Sequence, residues 1–136
     1  MDTTIKRGMA RLTRKIVMPM ILCMFLAFGC EDVFEKDLSK KEVVLVAPGD
    51  SIRTSYGQQV FVWEEIEGAT RYRLVIVSPR FERPERYLLD TLVTGRQFPF
   101  TLKPGEYQWR VRPENSAYEG IYSTRTIIVL PEENES

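Results

Sequence analysis

One stretch of the chain, residues 102–111, restricts its fold more than any other. Pro104 and Gly105 predict a tight turn, because proline presets φ and glycine accepts backbone conformations that other residues avoid. After the turn, apolar or aromatic side chains at Tyr107, Trp109 and Val111 alternate with polar ones. Such a period of two is typical of a β-strand with one buried face. The stretch therefore predicts a tight corner that leads into a half-buried strand.

Six other short segments also predict strands, because each is apolar on alternate positions or bounded by turn residues. With the strand after the corner they make seven, and the other six cover residues 43–46, 59–64, 71–77, 87–93, 97–102 and 122–130. Residues 78–85, which include two prolines, are expected to form a loop, and so are residues 113–120. Pro99 breaks the ladder pattern of its strand, which predicts an edge strand or a bulge. No segment shows helical periodicity, so an all-β fold is expected.

Seven short strands in about 90 residues predict an immunoglobulin-like Greek-key β-sandwich. Tyr107 stands two residues after the turn, where its hydroxyl can bond the backbone of the corner, as in the tyrosine corner of such sandwiches. The set expected to be buried between the two sheets is Trp63, Tyr72, Leu102, Tyr107 and Trp109.

Two spacings narrow this prediction further. Trp63 is followed after four residues by Gly68-Ala69 and then by Tyr72, and the corner reads Leu102-x-Pro-Gly-x-Tyr107. With these residues, the region 42–130 resembles a fibronectin type III domain. The resemblance implies a sandwich without a disulfide between its sheets, which agrees with the absence of cysteine beyond Cys30.

Composition limits the possible chemistry. The chain has no histidine, so Ser/His/Asp catalysis and imidazole metal sites are excluded, and no phosphate-binding loop is found. The 19 basic and 19 acidic residues are unevenly spread: five of the basic ones but only one acid fall in residues 1–29. The remaining 14 basic and 18 acidic residues leave a net charge of −4, which argues against a general nucleic-acid binder. We therefore expect no enzymatic activity, no metal and no cofactor.

The N-terminus has the three-part form of a secretory signal. Residues 1–15 are basic, and residues 16–28 form an apolar run of 13 residues, shorter than the roughly 20 that span a bilayer. Gly29-Cys30 then resembles the end of a bacterial lipoprotein signal, although Phe28 and Ala27 depart from its usual residues. The resemblance implies cleavage before Cys30 and attachment of the chain to the outer membrane by acyl groups on that cysteine. The alternative is an ordinary cysteine near a standard cleavage point.

These predictions divide the chain into four parts. They are a signal peptide (1–29), the lipidated Cys30 with a charged tether (30–41), the sandwich (42–130) and a flexible tail (131–136). The tether is rich in charge and is expected to be a spacer. Its acidic start, Glu31-Asp32, resembles the surface-export signal of Bacteroidetes lipoproteins, and the whole arrangement resembles their small cell-envelope lipoproteins.

Two surfaces are candidate binding sites. The first, here named the loop end, is at one end of the sandwich, where the loop 113–120, with Tyr122, and the turn 64–69 should meet. Its residues are Asn115, Ser116, Tyr118, Tyr122, Glu65 and Glu67. Tyrosine, asparagine and serine are frequent in adaptable recognition loops. The alternative is that the two tyrosines only cap the core. The loop 80–83 lies at the opposite end and is a further possible contact.

The second surface is the outward face of the third and sixth predicted strands, to which alternation sends Arg71, Arg73, Arg110 and Arg112. Like charges that face each other across strands repel, so these arginines need acidic neighbours or an anionic ligand. The acidic neighbours expected for this role are Glu106, Asp90 and Glu85. Between the two surfaces, the loop end is the favoured partner site.

The function that follows is a lipid-anchored envelope protein with a non-catalytic binding or assembly role. Its partner is expected to be an envelope protein or a glycan, the latter if the chain serves a polysaccharide-uptake system. A subunit that adds a strand or a face to a larger envelope complex is a further alternative. A small hydrolase is the weakest one, since no nucleophile and base can be paired and the acids are expected to be solvated.

Overall fold

The computed structural model describes residues 35–132. The predicted signal peptide, Cys30 and the start of the tether lie outside the described residues, as do residues 133–136 of the predicted tail. The described part contains no helix that is long and apolar enough to cross a membrane. It consists of eight β-strands: β1 (Leu45–Ala47), β2 (Ile52–Ser55), β3 (Gly57–Trp63), β4 (Arg71–Arg80), β5 (Arg83–Val93), β6 (Gln97–Leu102), β7 (Gly105–Glu114) and β8 (Ser123–Leu130).

The strands form two sheets, one of three strands in the order β1-β3-β6 and one of five in the order β2-β8-β7-β4-β5. All neighbouring strands pair antiparallel except β2, which pairs parallel with β8. The all-β sandwich predicted from the sequence is confirmed. Pro99 lies on β6, an edge strand of the smaller sheet, which agrees with the predicted edge position.

The core between the sheets contains the five residues predicted for it. Trp63 and Trp109 are fully buried, and Tyr72, Leu102 and Tyr107 are at most 3% exposed. The rings of Phe61 and Trp109 form a T-shaped pair with 4.9 Å between centroids, a favourable aromatic arrangement. Alternation along β3, β4, β6 and β7 places these side chains on inward faces, so the alternating apolar pattern of the sequence predicted the core.

The corner before β7 is the predicted tyrosine corner. The hydroxyl of Tyr107 donates a hydrogen bond of 2.7 Å to the backbone oxygen of Lys103. Gly105 has φ of 155°, and a Cβ there would lie 3.3 Å from the Tyr107 hydroxyl. Glycine therefore suits the backbone conformation, and a side chain at this position would crowd the ring of Tyr107.

Two predictions about strands and loops were wrong. The strand β2 was missed, because only four residues pair with β8 and they show no buried alternation. Residues 78–85 do not form a loop: β4 continues to Arg80, β5 begins at Arg83, and Pro79 faces Pro84. The prolines are tolerated because β5 is an edge strand and the pairing of β4 with β7 stops at Val77, so few backbone donors are needed there.

Candidate functional site

The loop end predicted as a binding site is held together by a buried asparagine. Asn115 is only 2% exposed. Its amide nitrogen donates to the backbone oxygens of Lys36 (2.8 Å) and Gly68 (3.2 Å). Its side-chain oxygen accepts hydrogen bonds from the backbone N–H groups of Ala117 (3.0 Å) and Tyr118 (2.8 Å). All polar capacity of this side chain is therefore used within the fold.

Residues 35–42, here named the collar, pack on this same end. Leu38 is fully buried, and its backbone oxygen accepts a hydrogen bond from the Lys41 N–H, which closes a turn. The Lys41 oxygen in turn accepts a hydrogen bond of 2.8 Å from the Ile121 N–H. Lys36 pairs with Glu67 at 3.0 Å. The prediction that this part of the tether is a free spacer was wrong, because one leucine and several backbone groups dock it despite its charge.

The other residues predicted for the loop end differ in their exposure and in whether they contact the collar. Ser116 is exposed and donates to a carboxylate oxygen of Glu35 at 2.6 Å, so it too contacts the collar. Glu65 is exposed, whereas Tyr118 is half-buried. An open hollow of about 440 Å³ lies beside them and is lined by Ser39, Arg71, Asn115, Ser116, Ala117, Tyr118 and Glu119. The structure thus brings the loop and the turn together, but much of their polarity serves the attachment of the collar.

The second predicted surface is the outward face of the five-stranded sheet, here named the arginine face. As predicted, β4 pairs with β7, and Arg73 lies directly across from Arg112. These two guanidinium groups and that of Arg71 converge on Glu114, a residue 1% exposed, with N–O distances of 3.1, 2.9 and 3.3 Å. One buried carboxylate therefore holds three arginines in place.

The charge of this cluster determines the protonation of Glu114. Burial alone would raise the pKa of its carboxyl, but the hydrogen bonds from Arg112, Arg73 and Arg71 outweigh burial and hold the pKa below its ordinary value. The carboxylate is therefore ionised at neutral pH. Sequence reasoning missed this residue, although alternation along β7 places position 114 on the same face as positions 110 and 112.

The predicted neutralisation of the arginine face is confirmed for Asp90 and corrected for the others. Asp90 accepts a hydrogen bond of 2.8 Å from Arg73, and Glu119 pairs with Arg112 at 3.3 Å. Glu106 instead pairs with Arg80 at 3.2 Å. Among residues 35–132, no ion pair involves Glu85, which is exposed on β5. The arginine face is thus neutralised by Glu114 and Glu119 as well as by Asp90. The sequence analysis had not singled out Glu114 or Glu119.

The fourth arginine of the face, Arg110, is held by aromatic rings rather than by a carboxylate. Its guanidinium carbon lies 4.1 Å from the ring centre of Phe81 and 4.1 Å from that of Tyr122. Tyr122 also covers Arg112 at 4.7 Å. Among the described residues, Arg110 Nε has no hydrogen-bond partner. Tyr122, predicted for the loop end, therefore belongs to the arginine face, as does Phe81 from the β4–β5 hairpin.

Apolar side chains border the arginine face along its free edge. Tyr87 and Leu92 on β5 are 64% and 45% exposed. Their partners across the ladder are Val77 and Arg73, which places both side chains on the outward side of the sheet. Exposed tyrosine and leucine beside ordered arginines resemble the composition of protein interfaces. Alternation alone would place positions 87 and 92 on opposite faces of β5, and the register shift between Ile76 and Val77 brings both to the outward side.

The described residues offer little for catalysis. No group of three or more Asp, Glu, Cys or His side chains within residues 35–132 is arranged to hold a metal ion. The acids that are close to one another, such as Glu64 and Glu65, are exposed at a turn rather than facing each other across a cleft.

Comparison with solved structures identifies the fold. The fibronectin(III)-like modules of CbhA from Clostridium thermocellum align with a TM-score of 0.50 at 10% identity, over 67% of this chain and 99% of theirs. The fibronectin type III domain of the human KIAA0970 protein aligns with a TM-score of 0.52 at 17% identity, over 77% of this chain and 83% of that domain. This chain has a fibronectin type III-like fold. No family model matches its sequence, and no curated protein matches it significantly.

The resemblance noted from Trp63, Gly68, Tyr72 and the corner is therefore confirmed at the level of the fold. In this fibronectin type III-like domain, the motif residues perform identifiable tasks. The hydroxyl of Tyr72 accepts a hydrogen bond of 2.9 Å from the Ile66 N–H, which closes the turn after Trp63. Gly68 has φ of 90°, a value that favours glycine. These contacts shape the turn on which the collar rests.

Proposed function

We propose that the protein is a lipid-anchored component of the cell envelope whose sandwich binds or assembles with a partner and carries out no chemistry. The anchoring half of the proposal is supported by the basic and apolar segments that precede Gly29-Cys30. The acidic residues after Cys30 and the single small domain favour a Bacteroidetes-type outer-membrane lipoprotein. The binding half is supported by the fold, since fibronectin type III domains generally act as non-catalytic binding or scaffolding modules.

The binding half of the proposal rests on one observation: the arginine side chains of the arginine face are held in fixed positions. Four arginines are held there by a buried carboxylate and by two aromatic rings, and the side chains of Arg71 and Arg73 remain 37% and 29% exposed. Arginines that are already ordered lose little conformational entropy when a partner binds. The side chain of Asn115, in contrast, is buried and makes all of its hydrogen bonds within the domain. We therefore place the partner site on the arginine face instead of the loop end.

The partner proposed for this face is an envelope protein. Asp90, Glu114 and Glu119 balance three of the four arginines, so the face is not strongly basic. The exposed Tyr87 and Leu92 add apolar area, which a protein surface can cover more fully than a charged glycan can. A glycan partner remains the second candidate, because aromatic rings and arginines also suit sugars that carry carboxylates.

The anchoring half of the proposal is tested by comparing Cys30→Ser with Cys23→Ser. The second substitution is the control, because it changes the cysteine that lies within the apolar run. We expect the Cys30 variant to leave the membrane fraction and the Cys23 variant to stay there. Intact mass spectrometry should show that the mature protein begins at Cys30 and carries acyl chains. An unmodified N-terminus at another residue would contradict the proposal.

The binding half is tested with two variants that change exposed or half-exposed residues. One carries Tyr87→Thr and Leu92→Thr on the arginine face, and the other carries Ser116→Ala and Tyr118→Ala at the loop end. Crosslinking in intact cells, followed by identification of the partner, should lose the product only in the face variant. Loss only in the loop variant would move the site to the loop end, and glycan-array binding without any protein crosslink would favour the second candidate.

A further inference from the structure

The collar shortens the chain that can separate the sandwich from its anchor. Only five residue steps lie between Cys30 and Glu35, where the described residues begin. A fully extended chain spans at most about 3.3–3.6 Å per residue, so these steps reach no more than about 18 Å in any conformation. If residues 35–44 were also free, the 15 steps to Leu45 would reach about 50 Å by the same rule. Docking of the collar therefore removes most of the available reach.

The attachment of the collar is specific rather than incidental. Leu38 is fully buried, and the collar exchanges backbone or side-chain hydrogen bonds with Asn115 and Ile121. Two glycines leave the space it occupies. A Cβ on Gly68 would lie 2.6 Å from the Cβ of Lys36, and one on Gly120 would lie 2.7 Å from the Lys41 oxygen. A larger residue at position 68 would clash with Lys36, and one at position 120 would clash with both Lys41 and the ring of Pro113.

We infer that, in the anchored protein, the collar holds the loop end of the sandwich against the lipid surface. The inference rests on the proposed anchoring at Cys30. Glu35, which accepts a hydrogen bond from Ser116 of the loop, then lies within about 18 Å of the lipid-bearing Cys30. The loop end therefore faces the lipid headgroups, where access for a large soluble partner is restricted. The β4–β5 hairpin lies at the far end of a ten-residue strand, about 30 Å away at roughly 3.3 Å per residue step. The arginine face lies along the side, where neighbouring envelope proteins have access to it.

The charges at the loop end indicate that the chain, rather than attraction to lipid, maintains this position. Lys36 is paired with Glu67, and Arg71 with Glu114. The remaining exposed charges at this end are of both signs, with a small excess of acids: Asp37, Lys40, Lys41, Glu42, Glu64 and Glu65. A mixed surface gains little from anionic headgroups. The position should therefore be the same on neutral and on anionic phospholipid, and insensitive to salt.

The test uses full-length acylated protein reconstituted into phosphatidylcholine vesicles that contain lipids with a short-range quencher on the headgroup. A fluorophore is attached through Ala117→Cys at the loop end or, as the matched control, through Glu82→Cys at the hairpin. We expect strong quenching at position 117 and weak quenching at position 82. Adding phosphatidylglycerol should leave both values unchanged. Equal quenching at the two positions would overturn the inference, because the domain would then lie flat on the membrane.

A second variant tests the role of chain length without altering the fold. Insertion of about 12 Gly and Ser residues between Phe34 and Glu35 adds roughly 19 Å of mean reach. Quenching at position 117 should then fall several-fold, and if it does not, the collar does not set the distance. Flotation with the vesicles is measured in every sample. Failure to float would refute the anchoring itself, whereas flotation with a wrong quenching pattern would refute only the orientation.

Discussion

The loop end and the arginine face looked equally polar in the sequence, yet the structure uses their polar groups in different ways. At the loop end, the amide of Asn115 is buried and bonds four backbone groups, so its polarity holds the loop and the collar in place. On the arginine face, Glu114 is the buried group, and the arginines around it extend to the surface. A polar residue type is thus a guide to function only when the location of its partners is known.

Both regions rest on the same hydrophobic core, so a core substitution sets the scale against which the other losses of stability are compared. Trp63 is fully buried and lies 5.9 Å from the ring of Tyr72. Trp63→Ala should lower the free energy of unfolding by about 3–5 kcal/mol, because it removes a large buried side chain and leaves a cavity. Urea denaturation measures this change. A transition that moves only slightly would mean that Trp63 does not hold the two sheets together.

Asn115→Ala should have the next largest effect and would show that the loop end is structural. The substitution leaves two backbone carbonyls and two backbone N–H groups without their partner, which should cost about 2–4 kcal/mol. The neighbouring Ser116→Ala, at an exposed position, should cost no more than about 0.5 kcal/mol. Hydrogen exchange should show that the collar opens only in the Asn115 variant. Similar stability of the two variants would remove the distinction between the two regions.

Glu114→Gln should test the arginine face, with an expected loss of about 1–3 kcal/mol because three partly exposed arginines lose their common partner. The depressed pKa of Glu114 stabilises the fold above the ordinary carboxyl pKa, about 4.3, and this contribution is lost as pH falls through the lower folded-state value. The melting temperature of the wild type should therefore fall in acid.

The matched comparison for that pH dependence is Glu85→Gln, which changes an exposed acid of β5. Glu114→Gln should lower the melting temperature at neutral pH and reduce its further decline in acid, while Glu85→Gln should leave both nearly unchanged. Identical acid profiles in the wild type and the Glu114 variant would show that the cluster is not coupled to folding.

Local pattern was sufficient to predict most of the sandwich. Alternation in β3, β4 and β7 identified Trp63, Tyr72 and Trp109 as core residues, because in a strand the facing of a side chain depends only on its parity. The corner at Pro104 and Gly105 predicted the hydroxyl contact of Tyr107, because that contact spans four residues. The same parity brought the four arginines to one face. All of these features depend on neighbours within a few positions of the chain.

Only the tertiary structure decided the role of groups whose partners are distant in the sequence. The Asn115 amide bonds Lys36 across 79 residues, and Arg73 meets Glu114 across 41. The strand β2 exists because β8 offers it a free edge, and Leu38 is buried because the loop and the turn form a site for it. Burial and pairing of a polar group depend on which distant segments meet. The sequence determined the sandwich and its faces, and the packing of distant segments determined which polar residues support the fold and which remain available to a partner.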